Sequence, residues 1–219
     1  MIPLRDDIPH RRKPIVTVVI LAINICVYLY ELFLGMELDN FVFRYGFIPY
    51  KLIMPLSVHA KLIPLFTSMF MHAGFLHLLG NSLYLWIFAD NVEDRLGHFN
   101  FLIFYLLCGI SASLIHALFN WGSKVPAVGA SGAIAGILGA YFLMFPKARV
   151  LTLVPLFLFW EIVEIPAFFF LGFWFLYQFL LGLVSLGRMG AGIAFWAHIG
   201  GFLSGVVFLR FFLKRRTYW

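Results

Sequence analysis

The chain alternates long apolar runs with short polar punctuation. Stretches free of Asp, Glu, Lys and Arg cover residues 14–30, 62–89, 99–123, 125–146, 165–187 and 189–209. About 20 apolar residues in a helix cross a hydrocarbon core of about 30 Å, so each run predicts one spanning helix. The helices are expected over about 15–34, 74–89, 99–119, 131–145, 166–185 and 191–212. A further apolar stretch at 148–164 contains Pro155, Glu161 and Glu164 and reads as an interfacial hairpin rather than a span. Residues 35–66, with prolines at 49, 55 and 64, form a long connection expected to lie partly in the membrane interface.

The fourth helix stands apart. Fifteen residues at 1.5 Å each give about 22 Å, short of the hydrocarbon thickness. Its inner end is marked by Pro146 and Lys147, so its outer end should lie below the outer surface. The preceding backbone at 126–129 would then be irregular at membrane depth, which is tolerated only under a protein cover or against a water-filled cavity. The expected fold is an all-α integral membrane protein: a bundle of six transmembrane helices with a short buried fourth helix. One domain, 14–213, lies between a basic start at 1–13 and a basic tail at 214–219.

Composition agrees. Hydrophobic residues make up 63% of the 219 positions and charged residues 12%, against about a quarter charged in a soluble domain. The net charge of +6 reads as topology and headgroup contact, not as affinity for nucleic acid. With both termini cytoplasmic, Arg5, Arg11, Arg12, Lys13, Arg95, Lys147, Arg149, Arg210, Lys214, Arg215 and Arg216 fall inside, 11 of the 16 basic residues. Arg44, Lys51, Lys61, Lys124 and Arg188 fall outside, as the positive-inside rule prefers. No small-residue cleavage site follows the first run, which reads as a retained helix. The short polar start favours a prokaryotic plasma membrane. Cys26 and Cys108 lie within apolar runs and read as fillers.

Polar residues inside such runs are costly and need a reason. Helices two, four and six all run inward from the outer face, and each carries its polar residues near its outer start: His77 and Asn81, Ser131, and His198. Ser131 and His198 supply a nucleophile and a base, the pair that acyl transfer requires. Gly132, Gly136 and Ala140 form a small-residue ridge on helix four; Ala197, Gly201 and Gly205 form another on helix six. Close packing of these ridges would bring the hydroxyl to the imidazole. No acidic residue is placed to orient His198, so a Ser-His dyad is expected rather than a triad. His77 and Asn81, four apart on one helical face, are candidate donors to an oxyanion, with the Ser131 amide at a helix N-terminus. Metal ligation by His72, His77 and His198 is the rival, weakened by the lack of a nearby carboxylate. The turn Glu93-Asp94-Arg95 is expected to hold a loop to the bundle by an ion pair or a carbonyl cap.

The set His72-Ala-Gly-Phe-Leu-His77-Leu-Leu-Gly-Asn81, Glu93-Asp-Arg95-Leu-Gly97, Gly129-Ala-Ser131-Gly132 and Ala197-His198-Ile-Gly-Gly201-Phe-Leu-Ser-Gly205 resembles the rhomboid intramembrane serine proteases. The likeness runs from about Tyr45 to Gly205 in the family's order. It implies Ser131 as nucleophile, His198 as base, and His77 with Asn81 supporting the oxyanion. It also implies single-span membrane proteins as substrates, cut near the outer end of their transmembrane helix, with a small residue before the scissile bond. Two positions depart. An aromatic that stacks on the histidine in some bacterial members is Ala135 here, and a Trp-Arg pair of the first loop is reduced to Arg44-Tyr45. No cofactor is called for. The rivals are a catalytically silent relative that binds membrane clients, which loss of Ser131 or His198 would favour, and a transporter, which an internal repeat would favour. Both residues are present, and no repeat is visible.

Overall fold

A computed structural model describes residues 1–9, 11–156, 159–186 and 194–213. It contains eight α-helices among these residues: α1 (Ile15–Phe33), α2 (Leu38–Tyr45), α3 (Val58–Thr67), α4 (Phe75–Leu96), α5 (His98–Phe119), α6 (Ser131–Met144), α7 (Ala167–Ser185) and α8 (Phe195–Phe212). Three strands, β1 (Ile2–Asp6), β2 (Arg149–Leu156) and β3 (Phe159–Pro166), form one antiparallel sheet in that order. By length and composition, α1, α5, α7 and α8 can each cross a membrane. The segments Val58–Phe70 and Phe75–Leu96, bent by 79°, form a fifth candidate together, and α6 is a shorter apolar helix. The protein is therefore a membrane protein built mainly of helices.

The helix at 131–144 lies at the centre. Every residue from Gly132 to Tyr141 is buried, in keeping with a helix that is apolar all round. Small residues allow this. A Cβ on Gly201 would collide with the Gly132 carbonyl, one on Gly205 with the Gly136 carbonyl, and one on Gly139 with the Phe202 carbonyl. The two ridges read from the sequence meet face to face, and α6 and α8 touch through backbone.

Several boundaries differ from those expected. The charged stretch at 90–95 is not a turn; it forms the last turns of α4. Glu93, 1% exposed, accepts from the Val16 amide at 2.9 Å, the Thr17 amide at 2.8 Å and the Thr17 hydroxyl at 2.7 Å. It caps the start of α1, where first-turn amides have no partner of their own and Pro14 offers no side-chain cap. The Arg12 amide donates to Asp94 at 3.1 Å, and the Arg95 guanidinium lies 5.3 Å from the Phe145 ring centroid. The cap thus goes to amides, not carbonyls. The 148–164 segment is a hairpin, made of β-strand. Its partner β1 was not anticipated: residues 2–6 pair with 150–153, although 1–13 reads as an irregular polar start. The connection at 35–66 holds α2, most of α3 and short 3-10 turns. The last helix was expected from residue 191; residues 191–193 lie outside those described, as do Arg188 and the basic tail at 214–219.

Candidate active site

Ser131 opens α6, two residues after Gly129, whose φ of +128° is a conformation that L side chains rarely adopt. The loop that delivers it is tied down on three sides. Phe47 and Ala127 exchange backbone hydrogen bonds of 3.2 and 2.7 Å, the Tyr50 amide donates to the Ser123 carbonyl at 2.9 Å, and the Gly129 amide donates to the Ser68 carbonyl at 2.8 Å. Irregular backbone next to a short helix is thereby satisfied by protein, as a membrane interior demands. The first connection in turn is held by Thr67, whose hydroxyl donates to the Tyr45 carbonyl at 2.6 Å, and by Lys61, which donates to the Leu52 carbonyl at 2.9 Å. Lys51, which bonds the Phe43 carbonyl, adds a third tie, and its burial lowers its pKa.

On α8, His198 places Nε2 2.9 Å from Ser131 Oγ. Its other ring nitrogen, Nδ1, lies 2.8 Å from Gln178 Oε1, on α7. The Trp174 ring, one turn earlier on α7, lies 6.0 Å from the imidazole centroid. Sequence reasoning missed Gln178, and it read Trp174 with the other aromatics of its helix as lipid-facing packing rather than as a neighbour of the imidazole. Gln178 is buried, and an amide buried in an otherwise aromatic and aliphatic span is the signal that could have drawn attention to it.

His77 and Asn81 share the inward face of α4 and reach the same place. A Cβ on Gly129 would lie 2.7 Å from His77 Cε1 and 3.5 Å from Asn81 Nδ2, so the glycine lets the loop close onto both. The Ala73 amide approaches His77 Nδ1 at 3.4 Å, which assigns the ring proton to Nε2 and makes that atom a donor. Asn81 Nδ2 is buried and has no hydrogen-bond partner among the described residues. A buried donor left unpaired costs about 1–3 kcal/mol unless something else takes the bond. His77, Asn81, Ser131, Trp174, Gln178 and His198 line one cavity of about 830 Å³ between α4, α6, α7 and the start of α8. The aromatics of α7 divide: Phe168, Phe169 and Phe173 are exposed, Phe170 is buried, and Trp174 lines the cavity.

The metal reading of His72, His77 and His198 finds no support. Among the described residues, no three His, Cys, Asp or Glu side chains are placed to hold an ion. Both ring nitrogens of His198 are engaged, by Ser131 and Gln178. His72 packs edge-on against His77, with centroids 5.3 Å apart.

These observations define a class: a helical membrane protein with a serine-histidine contact inside a cavity at the head of a short central helix. The comparisons give it a family. The Rhomboid domain matches residues 59–215, and the chain belongs to the rhomboid family. It is 32% identical over 157 residues to rhomboid protein 1, mitochondrial, of Saccharomyces cerevisiae, covering 67% of this chain and 40% of that protein. It is 33% identical over 141 residues to RHOMBOID-like protein 6, mitochondrial, of Arabidopsis thaliana, covering 64% and 40%. Over 76 residues it is 43% identical to rhomboid protease GluP of Bacillus subtilis, covering 35% and 14%. The matched stretches thus span less than half the length of these relatives.

Proposed function

We propose that the protein is an intramembrane serine endopeptidase that cuts single-span membrane proteins near the outer end of their transmembrane helix. The observation that carries this is the 2.9 Å approach of His198 Nε2 to Ser131 Oγ within a cavity in the membrane domain. His198 takes the hydroxyl proton as Ser131 attacks the scissile carbonyl, then returns it to the leaving amine. His77 Nε2, Asn81 Nδ2 and the Ser131 amide donate to the oxyanion that forms. Water then repeats the sequence on the acyl-enzyme. The scissile carbonyl must be free of helical hydrogen bonds, so a substrate must unwind locally.

In this reading α1, α4, α5, α6, α7 and α8 are the six spans of the domain 14–213. Both termini are cytoplasmic, and the site opens toward the outer leaflet. The pairing of β1 with β2 supports it: residues 2–6 and 150–153 must lie on one side of the membrane, and four spans separate them. The named relatives include mitochondrial proteins beside bacterial ones, which weighs against assigning a prokaryotic plasma membrane from the sequence. The function proposed is the same in either membrane.

The test uses a fluorophosphonate probe on the detergent-solubilised protein beside Ser131→Ala and His198→Ala, followed by cleavage of a single-span test substrate. Labelling and cleavage that both variants lose are the expected result. A folded wild type that neither labels nor cleaves would overturn the proposal and favour a client-binding relative without catalysis.

A further inference from the structure

We infer that Gln178 is the positioning residue of His198, selecting its tautomer and fixing its ring from α7. The inference rests on the Ser131–His198 reading. An imidazole that is to accept a proton at Nε2 must carry its own on Nδ1, and a group that accepts from Nδ1–H enforces that state. Gln178 Oε1, 2.8 Å away, is such an acceptor. The amide turned the other way would donate to Nδ1 and leave the proton on Nε2, facing the serine it should activate. During acyl transfer the serine proton goes to Nε2, while Nδ1–H continues to donate to Oε1 and the amide stays neutral.

The helix that carries the serine has no room for this task. Ala135, one turn after Ser131, is fully buried, and a Cβ on Gly201 would lie 3.1 Å from its Cβ. A larger side chain at 135 would force α6 and α8 apart. The orienting group comes from α7 instead: Gln178 through its hydrogen bond, beside the Trp174 ring tilted at 35° to the imidazole with centroids 6.0 Å apart. Gln178 is only 8% exposed, and in a helix with few other polar side chains a buried amide needs the partner it has.

The experiment measures fluorophosphonate labelling rate and substrate turnover against pH for wild type, Gln178→Met and Gln178→Glu. Gln178→Met, close in length and unable to accept the bond, should lower kcat and labelling by about 10–100-fold with KM nearly unchanged. Gln178→Glu should recover part of that loss and move the acid limb of the profile up by about one pH unit or more, because an adjacent carboxylate favours the imidazolium. A purely structural Gln178 would lower the yield of folded protein and leave the acid limb in place; that result, or wild-type rates in Gln178→Met, would overturn the inference. One reading needs no variant at position 178. Nitrogen-15 NMR of histidine-labelled protein, with the His198 signal assigned by its loss in His198→Ala, should show the proton on Nδ1; a proton on Nε2 would also overturn it. Failure of the dyad itself appears separately, as an unlabelled wild type.

Discussion

Gly205 on α8 lies so close to Gly136 on α6 that a single added methyl group would collide with the Gly136 carbonyl oxygen. The distance between serine and histidine is therefore set by backbone against backbone, with no side chain between that could give way. Gly205→Ala should push the helices apart and lower turnover at least tenfold, with a loss of stability of about 1–3 kcal/mol. Thermal unfolding in detergent and labelling rate are the measurements. Unchanged values in both would show that the two helices slide without cost.

Asn81 tests the oxyanion assignment. Asn81→Ala should reduce kcat by about 10- to 1000-fold and leave the melting temperature near or above that of wild type, since it removes a buried donor with no partner among the described residues. Turnover equal to wild type would take Asn81 out of the site.

Glu93 is expected to act on stability and not on chemistry. It caps α1 through three hydrogen bonds and also contacts His98. Glu93→Ala leaves those amides and the Thr17 hydroxyl without an acceptor, at a cost of roughly 2–4 kcal/mol. The melting temperature should fall clearly, while the protein that remains folded labels at the wild-type rate.

Asp6 gives the sheet a dependence on pH. Burial, with smaller contributions from Asp90 and Asp7, raises its pKa from 3.8 to about 6, against the lowering effect of hydrogen bonds from Tyr141 and the Ile8 backbone. A raised carboxyl favours the folded state when protonated. The contribution is full below pH about 4, declines as pH rises toward 6, and is lost above it. Wild type should melt higher at pH 5 than at pH 7.5 by a margin that Asp6→Asn removes. An equal margin in the variant would assign the dependence to other groups.

Much of the site was legible because membrane sequence makes polar residues conspicuous. Ser131 and His198 stand out in charge-free runs, and the glycine spacing shows which faces meet. Gln178 did not stand out: its role depends on the rotation of α7 against α8, which an almost uniformly apolar helix does not encode in its own pattern. The capping of α1 by Glu93 was hidden for a different reason. A charged pair beside a helix end reads as a solvated turn unless the amides that claim it, 76 and 77 residues away, are known. Strand β1 was the least legible element. Five residues with one proline have no strand signature of their own, and their partner at 150–153 lies beyond α1, α4, α5 and α6 in the chain.

That strand precedes the described helices in the chain and pairs with a segment far along it. Residues 6 and 150 are paired, and at about 5–20 residues per second the wait during synthesis is on the order of ten seconds. Throughout it, the strand can close its hydrogen bonds only once the intervening helices have returned the chain to the side of the membrane where β1 lies. A single helix left out of the bilayer would strand the two edges on opposite sides. The pairing of β1 with β2 therefore requires an even number of crossings between them, a parity that the loss of any one intervening span would break.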